Sequence, residues 1–297
     1  MHGLLLLDKP SGISSNAALQ KVKRILALRK AGHTGSLDPL ATGMLPICIG
    51  EATKFAQYLL DSDKYYQTTL HLGITTTTGD AEGEITSEQS YQLDKTKLTQ
   101  VLPRFTGKIK QQPPMFSAIK QQGQPLYKLA RQGIAVDRVV RVVTIHKLQL
   151  LAHTANTITL YVHCSKGTYI RSLAEDIGKA LGCGAYVSAL RRLQVYDFKA
   201  EQMIQLPTLQ AQRLPLRQWV LPIDLALQHL PAVTISPQMH QLLRIGQAIT
   251  LVAKRRYEQG LARLYNSAQQ FLGIVEITPE GKLFSKRLIQ QFPVSFD

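Results

Sequence analysis

The chain has 297 residues, with 35 Lys and Arg against 20 Asp and Glu, a net charge of +15, 44% hydrophobic residues and 3 Cys. This composition excludes disordered, collagen-like and disulfide-scaffold chains, and the length predicts about two domains, each able to bury a core. The aliphatic run Leu4 to Leu7 is closed by Asp8 and Lys9, far short of the roughly 20 apolar residues of a membrane span, so neither a signal peptide nor an anchor is expected.

In chain order, a helix is predicted from Ser15 to Lys30, capped by Ser14 or Ser15. Its apolar stripe is Ala18, Leu19, Val22, Ile25 and Leu26, and Lys21, Lys23, Arg24, Arg29 and Lys30 form a wet basic face. The next segment, Gly32 to Gly43 (GHTGSLDPLATG), is the densest in chemistry, with one carboxylate, one imidazole and several hydroxyls. Pro39 restricts Asp38 to an extended conformation, although Asp before Pro is also the pattern of a helix N-cap with a first-turn proline. His33 reads either as a general base or as a hydrogen-bonding loop residue. The spacings of a triphosphate loop and of a dinucleotide fingerprint are both absent.

Residues 64 to 74 alternate, with Tyr66, Thr68, Leu70, Leu72 and Ile74 on one face of a predicted strand, and Thr75 to Gly83 reads as loop. A short helix is predicted over 94 to 106, opened by Asp94 and stopped by Gly107. Between Arg104 and Lys147 nine basic residues face one acidic residue, Asp137. Prolines, glycines and the side chains Met115, Phe116 and Tyr127 are interleaved there, which predicts loops and short elements. Such cations neutralise phosphates, and such aromatics offer faces for bases. The basic charge as a whole points to a polyanionic partner.

Strands are predicted over 139 to 151 and 157 to 164, joined near Ala155 and Asn156. A helix over Thr168 to Leu181 places Arg171 in its first turn and Gly182 at its left-handed end. Cys48, Cys164 and Cys183 never form a CxxC pair, and His163 and Cys164 fall on opposite strand faces, so no metal site is expected. After Pro222 short β-like pieces predict a small β-rich domain from about residue 229, reached through a linker over 221 to 230 and carrying the basic trio Lys254, Arg255 and Arg256. Strands and helices mix without a βαβ repeat, which predicts an α+β, mixed-sheet architecture.

Ordered strings along the chain bear a resemblance. GHTGSLDPLATGMLPICIGEATK, the opening LLLLDKPSGISSN, DKYY at 63 to 66, GITTTTGDAEG at 73 to 83, PPMFSAIKQQGQPLYKLARQG at 113 to 133, HCSKGTYIRSLAEDIG at 163 to 178 and ALRRLQV at 189 to 195 together resemble the TruB family of tRNA pseudouridine synthases. The resemblance implies isomerisation of uridine 55 (tRNA numbering) in the T loop, with no cofactor and no metal, by a monomeric cytoplasmic enzyme whose partner is the tRNA T-arm and which requires no protein partner. It also implies a catalytic domain over 1–228, with an RNA-gripping insertion at about 104–147, and a PUA-like RNA-binding domain over 229–297.

Carried over by position, Asp38 is the family's catalytic aspartate, acting as nucleophile or as base on the ribose. Arg171 pairs with it, and Tyr66 stacks on the flipped base. Leu190 packs across the pocket, His33 contacts the RNA loop, and Lys9 with Pro10 supports the site and the substrate. Two other readings share the strings: a scaffold that binds or folds RNA without chemistry, and a guide-RNA-dependent synthase of the dyskerin type. The quoted strings end by residue 200, so the PUA-like assignment rests on position, size and β-texture.

Overall fold

The computed structural model describes residues 1–121, 123–134, 136–211, 216–250 and 258–290. Its centre is a ten-stranded mixed sheet. The main path runs Ile204–Gln205, Gly3–Lys9, Thr42–Ile49, Ala185–Val195, Lys64–Leu72, Thr157–Cys164, Arg141–His153 and Gly107–Gln111. Gly3–Lys9 pairs antiparallel with Thr42–Ile49, which in turn pairs parallel with Ala185–Val195, so the sheet is mixed as the sequence predicts.

The alternation read over 64 to 74 is realised from Lys64 to Leu72, where Tyr66, Thr68, Leu70 and Leu72 are buried and their odd-numbered neighbours are not. One core packs Tyr66, Leu70 and Leu72 against Leu173, Ala174, Ile177 and Leu181 of the helix Ile170–Leu181. That helix ends, as its sequence predicts, on Gly182 in the left-handed region at φ 79°. Asp94 caps Lys95–Val101, accepting from the backbone N–H groups of Thr96 and Lys97, and a 3-10 turn completes the predicted helix as far as Phe105. Close sheet packing fixes one glycine: Gly43 sits at φ 98° where a Cβ would collide with the Arg192 carbonyl.

Several expectations are corrected. The first helix stops at Ile25, because Ala27 turns left-handed at φ 49° and the chain leaves the helical path, so Arg29 and Lys30 are not on its basic face. Thr75 to Gly83 is only partly loop, since Ile74–Thr76 pairs with Ile85–Glu88 in a hairpin. Pro39 opens no helix, and Asp38 lies in an irregular connection between Ala31–His33 and Thr42–Ile49.

A second, five-stranded sheet contains Ala232–Ile235, Gly260–Asn266, Phe271–Ile277, Lys282–Leu288 and Ile249–Thr250. It also carries a helix that the β-reading missed, Pro237–Arg244, capped by the Ser236 hydroxyl with Pro237 at its first position. The stretch read as a linker is packed instead. Leu221 pairs with Leu4, and Ile223, Ala226 and Leu227 share a core with Leu4, Leu6, Ile274 and Ile289. The trio Lys254, Arg255 and Arg256 lies outside the described residues.

Candidate active site

Asp38 is presented by a loop whose backbone is fastened from three directions. Ser15, 4% exposed at the start of the first helix, accepts from the Leu37 N–H at 2.7 Å and donates to the Leu37 carbonyl at 3.0 Å. Ser14 supplies the helix cap, accepting from Ala17, which leaves the second hydroxyl free for this clasp. Lys9 is fully buried at the end of the first strand and donates to the carbonyls of Pro10, Ile13 and Pro39 at 2.8, 2.7 and 3.2 Å. Ser11 donates to the Leu40 carbonyl, and the Gly12 N–H to that of Pro39. Leu37 and Ala41 anchor the loop in the same core as Tyr66, Leu190 and Ile170.

Removing the Ser15 clasp strands a buried N–H. Ser15→Ala is therefore expected to cost about 1–3 kcal/mol of stability and to lower kcat while leaving RNA affinity unchanged. Thermal unfolding and a kcat-against-KM comparison check this; an unchanged kcat would mean that the clasp does not position Asp38.

Arg171 enters from the first turn of Ile170–Leu181. Its Nε lies 2.9 Å from Asp38 Oδ2, and its Nη2 donates to Asp38 Oδ1 at 3.1 Å, a bidentate fork. The remaining donors reach the Thr78 carbonyl at 3.0 Å and the Phe116 carbonyl at 2.7 Å, and Asp80 Oδ2 lies 3.8 Å from Nε. The Arg171 side chain is 5% exposed, whereas that of Asp38 is 35% exposed and opens to solvent. The helix start is itself fixed by Gln111, which accepts from the Tyr169 N–H and donates to its carbonyl.

Burial pushes the Asp38 carboxyl above its usual range, the Arg171 guanidinium opposes that rise, and Asp80 adds to it. Burial also lowers the Lys9 ammonium to about 8.

Asp38, Arg171, Tyr66 and Leu190 are thus gathered in one region. Tyr66 is 8% and Leu190 9% exposed, and burial raises the Tyr66 phenol. His33 sits on the short strand Ala31–His33 with its Nδ1 buried and unpartnered, and burial, reinforced by Arg192, lowers its imidazole. Lys9, expected to support the site and the substrate, is a brace within the protein, its fully buried ammonium aimed at three backbone carbonyls. Pro10 is exposed. Sequence reasoning missed Ser15, Asp80, Thr78 and the Phe116 carbonyl, the last of which ties the basic segment to the Asp38–Arg171 pair.

Of the insertion's cations, Arg104, Lys108, Lys110, Lys120, Lys128, Arg131 and Lys147 are exposed. Arg131 lies over the Tyr127 ring and Lys147 over that of Tyr161, at 5.7 and 5.6 Å.

This frame is that of RNA pseudouridine synthases. Solved structures that superpose on it include an H/ACA RNP bound to a substrate RNA containing 2'-deoxyuridine (TM-score 0.73, 24% identity, 98% of this chain and 87% of that one) and a Cbf5-Nop10-Gar1 complex (TM-score 0.71, 28% identity, 94% and 79%). Residues 23–170 match the N-terminal domain of TruB family pseudouridylate synthases, 171–228 the tRNA pseudouridylate synthase B C-terminal domain, and 231–289 a further TruB C-terminal domain.

Relatives named tRNA pseudouridine synthase B include one from Pseudomonas aeruginosa (strain UCBPP-PA14), 51% identical over 98% of this chain and 96% of the relative. Another, from Coxiella burnetii (strain RSA 493 / Nine Mile phase I), is 50% identical over the same shares. The chain belongs to the TruB family of pseudouridylate synthases. No helix among the described residues is long and apolar enough to cross a membrane.

Proposed function

We propose that this chain isomerises uridine 55 in the T loop of tRNA to pseudouridine, acting on bare tRNA as a cytoplasmic monomer without a protein partner. The observation that carries the reading is the half-open Asp38 carboxylate, forked by the buried Arg171 and lying in one region with Tyr66 and Leu190. The names of relatives about 50% identical over nearly the whole chain supply the substrate class.

In the reaction the bond from N1 of uracil to C1′ breaks, the base turns within the pocket, and a bond from C5 to C1′ forms. The C5 proton is lost and N1 gains one, so no atoms are added and no electrons exchanged. Arg171 keeps Asp38 in its charged form, in which it acts on the ribose as nucleophile or as base. Tyr66 and Leu190 close on the two faces of the extruded base, offsetting the few kcal/mol that leaving the stack costs, and His33 holds the loop that the base has left. Residues 1–228 form the catalytic domain with its gripping insertion, and 229–297 a PUA-like RNA-binding domain.

The test is purified full-length protein with unmodified tRNA transcript, mapping pseudouridine base by base. Conversion confined to the T-loop position supports the reading, whereas conversion only when a guide RNA and partner proteins are added assigns the guide-dependent type. The exposed insertion cations add a second expectation. If six or more phosphates are contacted, tRNA affinity falls by at least about a thousandfold between 50 and 200 mM salt, and a flat binding isotherm across that range would remove the electrostatic grip.

A further inference from the structure

Away from Asp38, three residues distant in sequence converge on one point: Asp63, just before the strand Lys64–Leu72, His146 in Arg141–His153 and His163 in Thr157–Cys164. His146 Nε2 and His163 Nε2 each lie 3.2 Å from Asp63 Oδ2. All three ligand atoms fall within 4.8 Å of one another.

The convergence is built by the backbone. His146 is the extra residue of a β-bulge, between the paired positions Ile145 with Cys164 and Lys147 with His163, and a bulge re-aims a side chain that regular alternation sends elsewhere. The Tyr65 ring stacks on His163 at 4.1 Å and 12°, fixing the plane of that imidazole.

We propose that Asp63, His146 and His163 bind a divalent first-row transition ion of the zinc, cobalt or nickel type. Two imidazoles and a carboxylate are the donor set these ions take, with a fourth position left to water. Around a tetrahedral ion with bonds of about 2.0–2.1 Å, neighbouring ligand atoms stand about 3.3 Å apart, and the two Asp63 contacts already have that separation. Asp61 and Asp197 line the same cleft as Asp63. The nearby cation Lys166 is drawn off by Asp61 at 2.8 Å. The bound ion clips together three adjacent strands, one of which carries Tyr66.

The measurement uses the full-length chain freed of metal by chelation and titrated with Co²⁺, followed by its ligand-field absorption, with Zn²⁺ binding read by equilibrium dialysis. One saturable equivalent per chain is expected, together with a rise in thermal midpoint with Zn²⁺. His146→Gln, at a position 38% exposed, is expected to weaken binding by more than about tenfold, since outer-shell partners alone cost 10- to 100-fold. Asp63→Asn is expected to do the same, and His71→Gln, at a different stretch of sheet, to leave binding intact. Absence of saturable binding, or binding that survives His146→Gln and Asp63→Asn unchanged, overturns the site and leaves a carboxylate hydrogen-bonded by two imidazoles.

Discussion

Asp38→Asn is expected to abolish pseudouridine formation, by at least the factor of about 10²–10⁴ that a positioned acid–base group contributes, while tRNA binding changes little. The amide is nearly isosteric and keeps an oxygen for the Arg171 fork, and the loop is held by Ser15, Lys9 and Ser11 through its backbone, so the fold survives. What is lost is the negative charge, which the proposed reaction needs at the ribose. Single-turnover assays on unmodified tRNA together with filter binding check both halves. Turnover at the wild-type rate would move the chemistry off Asp38, and loss of binding in parallel with activity would make the residue a structural one.

Removing the partner has a different signature. Arg171→Ala leaves the carbonyls of Thr78 and Phe116 without their Arg171 donors and takes away the cation 3.8 Å from Asp80, which is 3% exposed. Breaking a buried ionic network in this way costs about 3 kcal/mol or more, a drop of several degrees in thermal midpoint. The chemistry also shifts with pH. Burial already raises the Asp38 carboxyl and Arg171 pulls it back down, so without the guanidinium it rises further. Asp38 then loses its charge at a higher pH, and the acid limb of the kcat/KM profile moves upward. Arg171→Lys restores a charge but not the planar fork, so the acid limb is expected to return toward the wild-type position while the rate stays low. An acid limb unmoved by Arg171→Ala would show that the pair does not set the ionisation of Asp38.

Much of this was legible in the chain, and the reasons differ by element. Lys64–Leu72 is half-buried along its length, so alternation read it correctly. The helix bearing Arg171 has one apolar stripe and a glycine end. The Asp38 loop was visible as a string, but its fastening was not, because Ser15, Lys9 and Phe116 act through backbone groups tens of residues away. The doubled serine at 14 and 15 was the available signal, since a helix needs only one cap. Pro237–Arg244 was hidden among β-like pieces although Ser236 and Pro237 carry a helix start, and the bulge at His146 leaves no mark in a strand's composition. Lys9 was expected beside the site, but its three backbone carbonyl partners could not be read from the string.

Arg171 joins chain positions that are far apart: it lies 133 residues from Asp38, 93 from Thr78 and 55 from Phe116. During synthesis the carboxylate, the hairpin and the basic insertion all emerge before the cation that unites them. A nascent chain that ends ahead of Ile170 therefore has its exposed basic segment while Asp38 lacks its Arg171 partner. The Asp38–Arg171 fork is complete only when the last of these four segments docks.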